Sequence, residues 1–300
     1  MLSVITTIYN QLPVNRLFLE RLRRHTRLPF ELIIVDNAST DGSGDFFRGA
    51  GAKVIANDGN YSYPRCQNQG IGAARHEWLA FLNNDLIVSP AWDERLLEVM
   101  DRHGLDVATG CGVERLENRS RTRSYRRRWS LVRRAFGWLG HHERALRWMH
   151  RAMYGNWERF AQRRWARFGC AVREGFVGSS VMMRRRALDK IGLFDERIQA
   201  ADFDLYLRTK TRSLEHGDLR PVHVALGVFI HHYIRLTFRG RPPAFKDRAN
   251  LISLEEKWGR AQVTELLESL ETEAQVLEAP NTSQADHVSD GPGKPHPPAR

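Results

Sequence analysis

The 300-residue chain contains few cysteines and no long hydrophobic run. Its three cysteines, Cys66, Cys111 and Cys170, are widely spaced and form no CxxC or Cys/His zinc pattern, so neither a disulfide framework nor a zinc site is expected. No window approaches eighteen consecutive apolar residues, and the N-terminus MLSVITTIYN has no basic stretch before an apolar one. We therefore expect no signal peptide, no spanning helix, and a reducing, cytoplasmic setting.

Charge is abundant but unevenly distributed. Residues 119–168 hold fifteen arginines against Glu143 and Glu158, a local net charge of +13, so the rest of the chain carries −2 of the total of +11. Apolar residues make up 42% of the chain, which is enough to bury the core of one large domain or two small ones. The basic character therefore belongs to one segment of a globular protein.

Four apolar runs alternate with helical patterns in the first third of the chain. The runs are LSVITTIY, FELIIVDN, AKVIAND and WLAFLNND. Such alternation predicts a parallel α/β sheet that gathers ligands at the carboxyl ends of its strands. Asp36 and Asp85 both fall at such ends. Each alone is equally well explained as a helix cap or loop acceptor, but two at neighbouring strand ends indicate a polar crevice.

The stretch FLNNDLIV places Asp85 behind two asparagines at the mouth of the fourth strand. A hard cation such as Mg²⁺ or Mn²⁺ binds through one or two carboxylates and completes its shell with oxygens of a substrate phosphate. Asp85 supplies one such carboxylate, and Asn84 is placed to orient it or to meet a ribose. We therefore predict a divalent cation as the cofactor.

Six segments occur in the order seen in family 2 glycosyltransferases: VITTIYN, IIVDNASTDGS, GNYSYPRCQNQGIGAA, LAFLNNDLIV, GFVGSSVMMRRRALDKIGLFDE and DFDLYLR. The chain resembles that family over most of residues 1–112 and 173–238. The resemblance implies an α/β fold of the GT-A type, a single domain with a mostly parallel, Rossmann-like central sheet and, here, a helical Arg/Trp-rich insertion. The expected parts are a nucleotide-sugar-binding half (1–112), the insertion (113–172), an acceptor and catalytic half (173–240), C-terminal helices (241–279) and a disordered tail (280–300).

The resemblance also implies where a nucleotide diphospho-sugar binds. Asn83, Asn84 and Asp85 match the family's DxD-like motif with Asp85 as the sole carboxylate, so the metal site is expected to be weak and partly built by the diphosphate. From the residues alone, a helix N-terminus explains Asn68 equally well, and a tight turn explains Gly178. The residues implied to bind the nucleotide sugar are Thr7, Tyr9, Asp36, Asn68, Asn84, Gly178 and Ser179.

The segment FDERIQAADFDLYLR contains the residue that the resemblance implies as the catalytic base, Asp202. An inverting transfer needs a carboxylate that takes the proton from the acceptor hydroxyl as its oxygen attacks the anomeric carbon. Asp204 and Arg208 are expected to support it, Arg208 by steadying the helix of Asp202 or its charge. Without the resemblance, the two acids would be read as the first turn of a helix. The family usually has Glu immediately before the base, whereas this chain has Ala201.

The segment GVFIHHYIRLTF contains a histidine pair. Such a pair beside an apolar strand is often structural. The resemblance, however, implies a histidine near the metal or the diphosphate, shortly before a Ser or Thr. The spacing from His232 to Thr237 fits best, with His231 as the other register. Adjacent residues of a strand face opposite sides, so only one histidine is expected in the site, and His232 is the predicted metal ligand.

The insertion interleaves arginine with five of the eight tryptophans. One helical face carries Trp129, Val132, Phe136 and Leu139, and a second, after Gly140, carries Ala145, Trp148, Met149, Ala152 and Met153. This composition is typical of helices at an anionic membrane interface. The alternatives are packing on the catalytic body and binding of RNA or another polyanion, the last disfavoured because no nucleic-acid motif accompanies it.

These features together predict an inverting glycosyltransferase, peripheral on the inner face of the cell membrane, that acts in the assembly of cell-surface polysaccharide or glycolipid. Its partners would be a nucleotide diphospho-sugar, a saccharide or lipid-linked acceptor and an anionic membrane surface, with no nucleic acid. One alternative is a non-catalytic polyanion- or membrane-binding protein on a decayed transferase fold. The other is a nucleotidyltransferase, disfavoured because the N-terminus has no glycine-rich phosphate loop with a basic residue. The donor sugar, the base, the acceptor and the oligomeric state stay open.

Overall fold

The computed structural model describes residues 1–140, 142–234, 243–271 and 277. The strands in these ranges are β1 (Leu2–Ile8), β2 (Phe30–Asp36), β3 (Lys53–Ala56), β4 (Trp78–Leu82), β5 (Leu86–Val88), β6 (Val107–Cys111), β7 (Val172–Glu174), β8 (Ser180–Arg184) and β9 (His223–His232). The α-helices are α1 (Leu12–His25), α2 (Ser43–Gly49), α3 (Tyr63–Ala73), α4 (Trp92–His103), α5 (Arg119–Phe136), α6 (Glu143–Tyr154), α7 (Trp157–Phe168), α8 (Arg186–Ile191), α9 (Ala201–His216), α10 (Leu254–Trp258) and α11 (Arg260–Glu271). Short 3₁₀ turns occur at Gly137–Leu139 and Arg248–Asn250.

The strands join in the order β3-β2-β1-β4-β8-β6-β9-β5, and β7 pairs with β9. The half made of β3, β2, β1 and β4 is parallel throughout, and β6 runs parallel to β9. β8 is antiparallel to β4 and β6, while β5 and β7 are antiparallel to β9. The four strands predicted from the apolar runs are therefore confirmed, and β1, β2 and β4 end at the same edge of the sheet.

Helices cover both faces of the parallel half, which explains its nearly continuous apolar strands. On one face, Val4 of β1 belongs to a core that includes Phe18 of α1 and Met100 of α4. On the other, the next residue, Ile5, packs in a core with Leu205 of α9. Successive strand residues thus feed opposite cores, and the parallel α/β arrangement follows directly from the sequence pattern.

The helices of the insertion pack on the body of the protein. Trp129, Met149 and Trp157 are buried in one cluster with Phe229 of β9. The Trp157 indole N–H donates to the carbonyl of Val88 at 3.1 Å, because a buried indole requires an acceptor. Most of the two predicted apolar faces is thus used inside the protein.

The second predicted face, on α6, is narrower than its residue spacing suggested. Ala145, Met149 and Met153 are buried, whereas Trp148 and Ala152 are exposed. Three large apolar side chains of the insertion stay largely in solvent: Leu131, Trp138 and Trp148, which are 63%, 80% and 53% exposed.

The C-terminal part forms the short helix α10 and the longer α11, and Leu277 bridges to Val172 in an antiparallel pair. Ser253 caps α10 in a capping box with Glu256. The predicted disordered tail 280–300 and Thr237 lie outside the described residues. Among the described helices, none has both the length and the apolar character needed to cross a bilayer.

Candidate active site

A cavity of about 250 Å³ opens at the carboxyl ends of β1, β2 and β4. Its wall contains Thr7 and Tyr9 from the end of β1, Asn37 after β2, and the segment 83–85 after β4. His232, the last residue of β9, closes the cavity from the other half of the sheet. Five of the predicted site residues thus meet in one place: Thr7, Tyr9, Asn84, Asp85 and His232.

The segment after β4 is fixed by contacts from neighbouring elements. The backbone N–H of Asn83 donates to the carbonyl of Ser179 at 3.0 Å, which ties this segment to the loop before β8. The Asn84 side chain donates to Oδ1 of Asn15 on α1 at 2.7 Å. Because Asn84 and Asp85 are each only 5% exposed, their side chains are held in place before any ligand binds.

His232 lies between two carboxylates. Its Nε2 is 3.1 Å from Oδ1 of Asp85, and its Nδ1 contacts Oε1 of Glu114. Burial alone would lower the pKa of His232, but the two carboxylates raise it to about 10. Sequence reasoning missed Glu114, although a signal was present, since this carboxylate follows β6 just as Asp85 follows β4.

His231 faces the opposite side of β9, as the alternation of a strand requires. Its Nδ1 lies 2.9 Å from the hydroxyl of Tyr154, and its fully buried ring packs against Trp129 and His150 of the insertion. Burial lowers its pKa well below the ordinary histidine value. Of the two candidate histidines, His232 therefore lies beside Asp85, and His231 is part of the core.

Asp202 lies in the first turn of α9, beside the cavity. Its Oδ1 accepts the N–H of Phe203 at 3.0 Å, and burial raises its pKa above the ordinary value. A Cβ placed on Gly178 would lie 2.0 Å from Oδ2 of Asp202, so any larger residue there would displace the carboxylate. Tyr63 in the cavity wall has its pKa raised by burial and by the nearby Asp202 carboxylate. The predicted base and the predicted glycine are thus in direct contact.

Asp204 and Arg208 form the anchor of α9. Asp204 is 1% exposed, and its Oδ2 lies 2.9 Å from Nε of Arg208. Lys257 and the Trp258 indole of α10 approach its Oδ1 at 2.7 and 2.8 Å. Arg208 also donates to the carbonyl of Ile191 at 2.7 Å. Arg208 therefore steadies the helix through Asp204 rather than by pairing with Asp202.

Two other predicted residues are placed at the margin of the site. Asp36 is buried, and its Oδ1 accepts the N–H of Ser39 at 2.9 Å, while its neighbour Asn37 lines the cavity. Asn68 exchanges two hydrogen bonds with the backbone of Phe194, at 2.9 and 3.0 Å. Asn68 thus holds the loop that leads into α9, and its contact with a nucleotide stays a prediction.

Two side chains of the cavity wall, Asp85 and His232, could hold a divalent cation. Within the described ranges no group of three or more His, Cys, Asp or Glu residues is arranged to hold a metal ion. Asp85 and His232 instead offer one carboxylate and one imidazole. The two carboxylates beside His232 favour its charged ring, so Nε2 would have to release its proton to bind a metal ion, while Glu114 holds the second ring nitrogen in the way that orients metal-bound histidines. A two-ligand site of this kind would need oxygens from a bound diphosphate to complete the shell.

The chain belongs to glycosyl transferase family 2, whose sequence profile matches residues 3–192. Residues of the chain are 32% identical over 127 positions to the uncharacterized glycosyltransferase EpsJ of Bacillus subtilis, covering 41% of this chain and 36% of EpsJ. A second relative, the putative glycosyltransferase EpsH of the same organism, is 34% identical over 100 positions, covering 32% of this chain and 29% of EpsH. The matches thus span about a third of the length of these curated relatives.

The fold is shared with a solved structure, the mannosyltransferase PcManGT from Pyrobaculum calidifontis in complex with GDP-Man and Mn²⁺. The two align with a TM-score of 0.51 at 12% identity, over 90% of this chain and 74% of PcManGT. At this identity the alignment shows the fold alone. The predicted GT-A-type α/β fold and the predicted family are confirmed.

Proposed function

We propose that the protein is an inverting glycosyltransferase that moves a sugar from a nucleotide diphospho-sugar to an acceptor hydroxyl. The observation that carries the proposal is the placement of the Asp202 carboxylate, in contact with Gly178, beside the cavity that holds Asp85 and His232. Family membership and the cavity at the strand ends support the donor class, since α/β sheets of this kind bind ligands there.

The donor would lie across the ends of β1, β2 and β4. Thr7, Tyr9 and Asn84 line the cavity on the side of the nucleotide, with Asp36 just behind it, while Gly178 and Ser179 would lie beneath the sugar. Asp85 and His232 would hold Mn²⁺ or Mg²⁺, which offsets negative charge on the departing diphosphate when bound. The complex of PcManGT with GDP-Man and Mn²⁺ is consistent with such a site.

The transfer itself would be a single displacement with Asp202 as the base. The acceptor hydroxyl loses its proton to the Asp202 carboxylate while its oxygen bonds to the anomeric carbon. The bond from that carbon to the diphosphate breaks, and the nucleoside diphosphate leaves with the electron pair. Burial favours this role because a raised pKa makes the carboxylate a better proton acceptor than an ordinary aspartate.

The acceptor would be a growing cell-surface saccharide or a lipid-linked one, reached at an anionic membrane surface. Leu131, Trp138 and Trp148 of the insertion are exposed among its arginines, which is the composition of an interfacial segment. We propose a peripheral position on the inner face of the membrane on these grounds.

Calorimetric titration of UDP, dTDP and GDP, with and without Mn²⁺, tests the donor site. One nucleotide should bind in a metal-dependent manner, Asp85→Ala should abolish the metal dependence, and the exposed Asp189→Ala on α8 should bind like the parent protein. A donor sugar of that nucleotide then serves in a transfer assay, which Asp202→Asn should suppress by about 10²–10⁴-fold. Absence of metal-dependent binding of any nucleotide, in folded protein, would favour the non-catalytic alternative.

A further inference from the structure

A second cavity, of about 580 Å³, lies between the insertion and the body of the protein. We name it the arginine cavity after the six residues that dominate its wall: Arg115, Arg119, Arg123, Arg126, Arg127 and Arg173. Among the residues that the structure describes, the wall contains one acid, Glu114, against these six cations, together with the hydroxyl residues Thr122 and Ser130. Its size lies within the range of small-molecule sites.

The spacing of α5 creates most of this wall. Arg119, Arg123, Arg126 and Arg127 recur at three- and four-residue intervals and therefore share one face of the helix. Arg126 donates to the carbonyl of Glu114 at 2.8 Å, which fixes the helix against the loop after β6. Four guanidinium groups of one helix are thus presented to one volume.

Arg115 shows that the like charges are crowded. Its Nη2 donates to the carbonyl of Leu270 at 2.8 Å, and its guanidinium lies against Gly175, where an added Cβ would be 2.6 Å from Cζ. Its Nε is buried and, among the described residues, has no hydrogen-bond partner. Burial, and then the charges of Arg173 and Arg119, lower its pKa to about 10. A bound anion would offset this repulsion between guanidinium groups.

The arginine cavity adjoins the catalytic centre through Glu114. Oε1 of Glu114 contacts His232 in the first cavity, while the residue also forms part of the arginine cavity. A Cβ on Gly112 would lie 2.8 Å from Oε2 of Glu114 and 3.9 Å from Val177, the residue before Gly178. The cavity therefore borders the loop on which the Asp202 carboxylate rests, away from the nucleotide side at β1 and β2.

We propose that the arginine cavity binds a phosphate or pyrophosphate group carried by the acceptor. Planar guanidinium groups recognise phosphate oxygens through paired hydrogen bonds, and several of them on one wall suit a doubly charged group. Sites for single-stranded nucleic acid combine basic groups with aromatic rings on which the bases stack, and the described lining residues include no aromatic ring. This inference rests on the proposed function, because it specifies the acceptor of the same transfer.

The first test is binding of inorganic pyrophosphate by titration calorimetry in buffer containing a chelator, so that the metal site does not contribute. The variant Arg123→Ala/Arg127→Ala removes two exposed arginines of the cavity. The matched control Arg144→Ala/Arg159→Ala removes two exposed arginines of the same insertion that are not part of its wall. We expect the parent and the control to bind pyrophosphate, and the cavity variant to bind at least about tenfold more weakly.

Nucleotide binding, measured with Mn²⁺ on the same three proteins, separates this inference from the proposed function. The cavity variant should keep nucleotide binding while losing pyrophosphate binding. Equal pyrophosphate affinity in all three proteins, or no binding in the parent, overturns the inference even if the donor site is established. If none of the three proteins binds nucleotide while pyrophosphate still binds in the arginine cavity, the proposed transferase function is contradicted. The bound phosphate group could then no longer be assigned to an acceptor.

Geranyl pyrophosphate distinguishes the two sources of such a group. Tighter binding of geranyl pyrophosphate than of inorganic pyrophosphate, lost in the cavity variant, assigns the site to a lipid-linked acceptor. Equal binding of the two, again lost in the cavity variant, assigns it to a phosphorylated saccharide without a lipid chain. Either result supports recognition of phosphate, and binding of both that survives in the cavity variant contradicts it.

Discussion

The burial of Asp202 determines the pH range in which its carboxylate can accept a proton. Burial raises its pKa above the ordinary aspartate value of about 3.9. Only the ionised form is a base, so kcat/KM for transfer should fall as the pH drops through this raised pKa, by about tenfold per unit below it. A pH profile of transfer, with nucleotide binding measured over the same range as a control, tests this. A limb at the ordinary aspartate value would contradict the effect of burial.

Gly178 provides a test of how closely that carboxyl group must be positioned. Alanine at this position would place Cβ 2.0 Å from Oδ2 of Asp202 and force the carboxylate to move. Because a displacement of about 1 Å can cost 10²-fold in rate, Gly178→Ala should lower kcat by about that factor while nucleotide binding persists. The control is Gly72→Ala on α3, where nothing lies within 4 Å of the added Cβ. Equal kcat in both variants would show that the exact position of the Asp202 carboxylate against Gly178 does not limit the rate.

The location of a residue can be predicted from the sequence where its position in a strand determines its direction. Asp85 and Thr7 lie in one cavity because the ends of parallel strands meet at one edge. Alternation says that His231 and His232 face opposite sides but not which one faces the site. The spacing to Thr237 selected His232, and the structure places that residue beside Asp85. Glu114 was missed because its role depends on β9, which is more than one hundred residues later in the chain.

Helix α10 holds α9, the helix that carries the proposed base, in position. Lys257 contacts both Asp195 and the buried Asp204, so Lys257→Ala would leave Asp204 with fewer partners. We expect the free energy of unfolding to fall by about 1–3 kcal/mol, measured by denaturant titration. The control Lys246→Ala removes an ion pair with the exposed Asp58 and should change little. An equal loss of unfolding free energy in the two variants would mean that the contact between Lys257 and Asp204 adds no more stability than an exposed ion pair.

The elements themselves were predictable to different degrees. Three strands of the parallel half, β1, β2 and β4, have apolar runs that suit a sheet covered on both faces, whereas β3 is a partly exposed edge strand. The faces of α5 and α6 were less predictable, because Met149 and the exposed Trp148 are neighbours in sequence and only packing against the rest of the protein decides which is buried. A short element such as α10 depends on its capping box and on tertiary contacts, which a residue pattern alone does not reveal.

At the scale of the whole molecule, the proposed membrane position can be tested with vesicles. Trp138→Ser/Trp148→Ser removes two exposed apolar side chains of the insertion and should weaken binding to phosphatidylglycerol-containing vesicles at least about tenfold. Sedimentation with vesicles measures this, and added salt should also weaken binding because the insertion is basic. Leu193→Ser/Leu214→Ser, which removes exposed leucines elsewhere, should leave it unchanged. Vesicle binding that is insensitive to the tryptophans would contradict the proposal.

Strand β9 shows why a shortened version of this protein would be misleading. At the end of this strand, His232 faces the cavity, whereas His231 faces the opposite side and is buried against Trp129, His150 and Tyr154. Deleting residues 113–172 would uncover the reverse side of the strand that carries the proposed metal ligand, and would also remove Glu114. An inactive deletion mutant would therefore reveal nothing about acceptor or membrane. Point substitutions on the outer surface of the insertion are the informative way to separate scaffold from recognition.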